Sequence, residues 1–345
     1  MVYDVTFHPS WWYRNAGISF TKSFFEDPAC RVAADMKMRR RLFEKFGEWG
    51  IGSEHPEPRP ILGSDLIASG YLLSELLGCS ISYSEATPPA VLCLGLSEDE
   101  ALHFRAPDLA ASKVWEKTEE QIFWLQKEYG SVHAAVNLQG VLNLALDLRG
   151  ESIFVDMYQY EAAARNLLRQ CLLLSLNVGR RLKEVSSSLS GGVTAITNCL
   201  AIPSLYVHSN CSVEMVSLDT YREFLLEHDI ALSHAFQPYG VHHCGGSMEH
   251  VAAGYAEIPN LSFAEIGAGS DISEVRRQLP NCHLNLRYSP VKLAVATEDE
   301  LREDLYQMVN TVGGNTEAVS VSCVGIDASV PDGQISLFLS ILKEL

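Results

Sequence analysis

The chain has 345 residues, 47% hydrophobic and 20% charged, with a formal net charge of -17. This suits a soluble globular protein with a large core, and the negative charge argues against nucleic acid or an anionic membrane as partner. No stretch approaches the roughly 20 apolar residues of a membrane helix, Met1-Val2-Tyr3-Asp4 lacks the basic and apolar regions of a signal peptide, and nine cysteines without small-domain spacing fit free thiols in the cytoplasm.

Residues 1–60 read as an N-terminal helical extension. Trp11-Trp12-Tyr13 and Phe24-Phe25 supply packing aromatics. Asp27-Pro28 opens a helix through Phe46, with Arg39-Arg40-Arg41 on its solvated face. The proline-rich stretch from Glu54 to Pro60 breaks the chain.

From Ile61 the pattern alternates between short apolar runs and amphipathic segments. Ile61-Leu62-Gly63 predicts a strand and Ser64 to Leu77 a helix. Ala90 to Leu94 predicts a strand, and Ser97-Glu98-Asp99-Glu100 a capping box. A helix is expected over Ala110 to Tyr129, a strand over Ser131 to Val136, and a long helix over Tyr158 to Val185. Strands follow at Val193 to Ile196 and Leu205 to Val207, and Ser217 caps the next helix. Further strands are expected around His242, over Leu261 to Ile266, over His283 to Leu286, and over Ala318 to Cys323. Between them lie helices opened by Asp271-Ile272-Ser273-Glu274 and Thr297-Glu298-Asp299-Glu300, and Gly313-Gly314-Asn315 is a loop. A last helix runs from Pro331-Asp332 to Leu342.

Such alternation predicts an α/β fold, and about eight strand candidates predict a (β/α)8 TIM barrel over residues 61–345; an open doubly wound sheet is the alternative. The chain has no Gly-x-Gly-x-x-Gly after a strand and no Gly-x-x-x-x-Gly-Lys-Ser/Thr, so the dinucleotide and P-loop readings lack their signatures.

The chemistry concentrates at Val241-His242-His243-Cys244-Gly245-Gly246. On a strand His242 and Cys244 point the same way and His243 the other. An imidazole beside a thiol is a pair of zinc ligands. Cys323 ends a distant strand candidate, and the mouth of a barrel would bring it to them. Each cysteine taken alone is equally a small core residue.

These stretches resemble the uroporphyrinogen decarboxylase superfamily, and within it the zinc-dependent cobalamin methyltransferases. The likeness runs from about Gly63 to the end, through Leu148-Arg149-Gly150-Glu151, Val216 to Phe224, His242-His243-Cys244-Gly245, and Ser322-Cys323-Val324-Gly325-Ile326-Asp327 with Val330-Pro331-Asp332. The resemblance implies zinc held by His242, Cys244 and Cys323, and methyl transfer between a corrinoid and a thiol or other heteroatom substrate. The corrinoid would arrive on a separate partner protein, because the chain has no Asp-x-His-x-x-Gly. The arginine-rich N-terminal motif of the decarboxylases is missing, and their Gly-Asn-Val-Asp-Pro appears here as Asn285-Leu286-Arg287-Tyr288-Ser289-Pro290.

Other strand-end residues are candidates for the same mouth. Glu265, Asn210 and Arg287 are the catalytic candidates, and Asn137, Gln139, His208 and Asn285 the substrate-binding ones. Cys211 is an alternative metal ligand, and His243 packs behind the strand. Competing functions are a metal-independent lyase of the decarboxylase type and a non-catalytic binder of a corrinoid or tetrapyrrole.

Overall fold

The computed structural model describes residues 1–186, 189, 205–312 and 316–345. The expected strand at Val193 to Ile196 and the Gly313-Gly314-Asn315 loop lie outside the described residues. The strands, in chain order, are β1 (Val2–Phe7), β2 (Ile61–Gly63), β3 (Ser80–Ser82), β4 (Ala90–Leu92), β5 (His133–Ala135), β6 (Leu138–Gln139), β7 (Tyr206–Ser209), β8 (Tyr239–His243), β9 (Leu261–Ile266), β10 (His283–Tyr288) and β11 (Val319–Ile326). Helices separate most of them, including Pro28–Phe46, Lys113–Tyr129, Glu161–Val185, Leu226–Ala235, Glu298–Thr311 and Asp332–Glu344. No helix among the described residues is long and apolar enough to cross a membrane.

Seven strands form one parallel sheet in the order β1-β11-β10-β9-β8-β7-β6. The first strand of the chain therefore lies beside the last. β2 pairs with β5 in a separate parallel ladder, and β3 pairs with β4 as an antiparallel hairpin outside the sheet. Among the described residues the expected closed barrel is not seen as a continuous ladder, because β2 bonds only β5 there while β1 bonds only β11. A cleft of about 420 Å³ lined by Val2, Asp4, Thr6, Arg59, Asp65 and Leu66 lies at that break.

Several local expectations change. Residues 2–7, read as part of a helical extension, are a sheet strand: Val-Tyr-Asp-Val-Thr-Phe is rich in β-forming side chains, and β11 supplies its ladder partner. The helix expected over Ser64 to Leu77 is confined to Leu72–Leu76. The helix expected from Tyr158 is divided at Tyr160, whose φ of -134° and ψ of 50° break it into Ser152–Gln159 and Glu161–Val185. Ser97 and Thr297 form complete capping boxes. Asp271 caps the amide of Glu274, but the Glu274 carboxylate turns to Arg277 instead of returning to the cap.

Strand alternation sorts the sheet residues onto two faces. Register pairs Ser209 with His242, His242 with Glu265, Glu265 with Asn285, and Asn285 with Ser320, which places all five on one face. Leu205, Val207 and Phe263 form a small apolar cluster, with Val2 packed against it. Register puts Val2 level with Ser320 and Phe263 with Gly240, on the face of His242, so this cluster forms the floor below the polar layer. The opposite face carries Tyr206, Tyr239, Val241, Ile266, Leu284, Leu286 and Val321, which join the helices in the main core.

Candidate metal centre

Three adjacent segments build the site. β7 ends at Ser209, and the turn Cys211–Met215 that follows places Cys211 beside the end of β8. The Asn210 amide donates to the His242 carbonyl at 2.7 Å, which fixes that turn to β8. β8 carries His242, and Cys244 follows it. The ligand atoms of Cys211, His242 and Cys244 all lie within 4.8 Å of one another. The two sulfurs are 2.9 Å apart. Cys244 is exposed, Cys211 half-buried and His242 buried.

Glycines allow the loops above to close. The Gly246 amide donates to Glu214 Oε1 at 2.6 Å, which ties the Cys244 loop to the turn that carries Cys211. A Cβ on Gly267 would lie 1.6 Å from the Gly245 carbonyl oxygen, so only glycine lets the loops after β8 and β9 meet.

Behind the imidazole stands Glu265, fully buried on β9. His242 Nδ1 donates to Glu265 Oε2 at 2.6 Å, which leaves Nε2 as the ring nitrogen able to bind a metal. Arg287 Nε lies 3.3 Å from Glu265 Oε1, an ion pair without hydrogen-bond alignment. Burial disfavours charge on His242, but Glu265 and the two cysteines outweigh it and raise its pKa well above 6.5. The thiol of Cys211 hydrogen-bonds Cys244, and with His242 and Arg287 nearby this lowers the Cys244 pKa well below the usual thiol range against the effect of burial. The same bond and burial raise the Cys211 pKa. One thiolate and one imidazolium are therefore favoured in the metal-free site.

Cys323 does not join this group. It pairs in register with Tyr288, three residues beyond Ser320 on β11, so its side chain lies on the face opposite His242. Its neighbour Tyr288 donates to Asp304 of the helix Glu298–Thr311. Burial pushes the Cys323 thiol up to about 12. A three-residue step along a strand reverses the face, and this removes Cys323 from the expected ligand set. Cys211 stands in the third position.

The remaining candidates divide in the same way. Glu265, Asn285 and Arg287 belong to the site face, where Ser320 Oγ donates to Asn285 Oδ1 at 3.3 Å. His208 and Asn210 do not. Both turn to the helix-covered face and bond the buried Asp229, His208 Nε2 at 3.1 Å and Asn210 Nδ2 at 2.9 Å. Tyr221 donates to the same carboxylate at 2.6 Å, and the Tyr239 hydroxyl lies 2.8 Å from His208 Nδ1. These bonds tie His208 and Asn210 into the packing of the covering helix. Gln139 is held by Ser74 and Asp147, within helix packing. Asn137 accepts from Ser209 Oγ at 2.9 Å and lines a cavity beyond β5. His243 turns away from the site to Tyr255 and the Ser247 carbonyl, as alternation predicts.

Two thiolates and an imidazole, the imidazole oriented by a buried carboxylate, form a donor set that suits zinc. A zinc held by these three residues would have room for one further ligand, and Cys244 is the exposed member of the group.

No protein-family profile matches the sequence, and a search of curated proteins finds no relative. Among solved structures, the chain is similar to a "methyltransferase from Methanosarcina mazei", with a TM-score of 0.63 and 14% sequence identity over 98% of this chain and 93% of that one. At that identity the likeness shows a shared fold.

Proposed function

We propose that the chain is a zinc-dependent methyltransferase that moves a methyl group between a corrinoid, carried by a separate protein, and a thiol or other heteroatom substrate. The observation that carries this reading is the Cys211, His242 and Cys244 group with Glu265 behind the imidazole. The fold shared with a methyltransferase supports it, as does the resemblance to the cobalamin methyltransferases within the uroporphyrinogen decarboxylase superfamily. We also read the sheet as an incomplete (β/α)8 barrel, with β2 and β5 standing between β1 and β6. Support comes from the β1–β11 pairing and from the two residues that separate β5 from β6.

Zinc bound there would supply a Lewis acid that makes a substrate thiol acidic, or a methylated heteroatom a better leaving group. The chain's own residues do the rest. Cys211 and Cys244, both as thiolates, would hold the ion and balance its charge. Glu265 holds the Nδ1 proton of His242 and keeps Nε2 available. Arg287 steadies Glu265 from its other oxygen. The wall of Leu205, Val207 and Phe263 closes the floor, so substrate enters from the Cys244 side. A cytoplasmic setting suits the free cysteines.

The test is methyl exchange. Zinc-loaded protein is mixed with methylcobalamin and a panel of thiols, and the absorbance change from methylcobalamin to cob(I)alamin is followed. Exchange is expected with at least one thiol and is lost in Cys211→Ala and in Cys244→Ala. Undiminished exchange in both variants defeats the reading.

A further inference from the structure

A second feature lies at the ends of β2 and β5, lined by none of Cys211, His242 and Cys244, and the inference from it does not depend on the function proposed above. Two adjoining cavities of about 50 and 100 Å³ share Phe25, Tyr71, Leu72, Thr118 and Gln121 in their walls. The inner one continues over the ends of β2 and β5 to Ser64, Val136 and Asn137, and among the described residues no charged side chain lines it, whereas Glu26, Glu75, Lys113 and Lys117 line the outer one. Its backbone walls are tight: a Cβ on Gly63 would lie 2.1 Å from the Ala135 carbonyl oxygen.

Arg31 governs the polarity of this space. The side chain is 1% exposed, and it donates to four uncharged acceptors. Nε donates to the Ile61 carbonyl at 2.8 Å and Nη1 to the Phe24 and Phe25 carbonyls at 3.3 and 2.8 Å. Nη2 donates to Gln121 Oε1 at 2.8 Å. Burial pulls the Arg31 pKa down to about 10, so the guanidinium stays charged at neutral pH. A guanidinium can only donate, so it fixes the Gln121 amide with its oxygen turned to Arg31. The Gln121 NH2 is thereby left to serve the cavity. Thr118 Oγ1 spends its proton on the Val114 carbonyl at 3.0 Å.

We infer that the inner cavity binds a small uncharged molecule bearing an acceptor oxygen and methyl groups, recognised by the Gln121 amide and by the Phe25, Tyr71 and Leu72 walls. The inner cavity, at about 50 Å³, limits the ligand to a few heavy atoms, since a cavity of about 150 Å³ holds benzene. The absence of charged lining residues in the inner part selects against ions, which would be desolvated without a partner there.

The probe is dimethyl sulfoxide, with methanesulfinate as its charged near-isostere, observed by ligand-detected NMR on the full chain. Saturable binding of dimethyl sulfoxide is expected with a Kd of about 1–100 mM, as suits so few atoms. Gln121→Glu keeps a partner for Arg31 but replaces the inward donor by an acceptor, and weakens binding by about tenfold or more. Leu72→Trp fills the space and abolishes it. Thermal unfolding of both variants checks that they fold. Three results overturn the inference: no saturable binding to the folded wild type, equal binding to folded Gln121→Glu, or equal binding of methanesulfinate.

Discussion

Glu265→Gln removes one charge from the metal centre and almost no volume. In the wild type the fully buried Glu265 carboxylate accepts the His242 Nδ1 proton at 2.6 Å, and a charge-assisted bond of this kind is strong. A glutamine can accept the same proton through its amide oxygen but contributes no charge, so imidazole basicity falls. Loss of such a partner behind a metal-bound histidine costs about 10–100-fold in metal affinity, or about 1.4–2.8 kcal/mol. The proton count changes too. The raised pKa values of His242 and Cys211 favour protons that zinc must displace, so binding is accompanied by proton release. Glu265→Gln removes the leading cause that raises the His242 pKa, so fewer protons are released. Stability follows the same linkage. A group whose folded pKa is raised stabilises the fold below its unfolded value, near 6.5 for imidazole, and loses that contribution as pH rises through the folded value. The metal-free wild type therefore loses this contribution on going from pH 6 to alkaline pH, and the variant shows a flatter profile. Competition with a chromophoric chelator measures the affinity, calorimetry in buffers of different ionisation enthalpy counts the protons, and urea midpoints follow the stability. Unchanged affinity together with an unchanged proton count refutes the role given to Glu265.

Gly267→Ala forces a Cβ into the Gly245 carbonyl, so the Cys244 loop must move; zinc affinity should fall while the unfolding midpoint changes less, as read by chelator competition and thermal melts. Asp229→Ala strips acceptors from Tyr221, Asn210 and His208 in a buried network; it should cost about 3–5 kcal/mol in urea unfolding, yet leave zinc stoichiometry intact in the folded fraction.

Some of this centre was legible in the sequence. Two-residue alternation placed His242 and Cys244 together and turned His243 towards Tyr255, and that rule needs only local geometry. The third ligand depends on register between strands, which a single sequence does not contain. Cys323 ends a strand candidate as convincingly as any residue, but its pairing with Tyr288 settles its face. Cys211 was visible only as a thiol just past β7, because the Cys211–Met215 turn that brings it back to β8 carries no strong local signal. β1 was hidden for a similar reason: its aromatic surroundings suggested helix packing, and its partner lies at the other end of the chain. His208 and Asn210 lie at a strand end, as expected, yet face the helices, where Asp229 supplies a partner 21 and 19 residues away in sequence, respectively.

The most direct measurement is zinc content per chain, with X-ray absorption at the zinc edge, in the wild type, Cys211→Ala and Cys323→Ala. The account predicts about one zinc per wild-type chain with two sulfur ligands near 2.3 Å. Cys323→Ala should retain that zinc and spectrum, and Cys211→Ala should lose the metal or show a single sulfur. Zinc retained with two sulfurs in Cys211→Ala, and lost from Cys323→Ala, would contradict the centre described above.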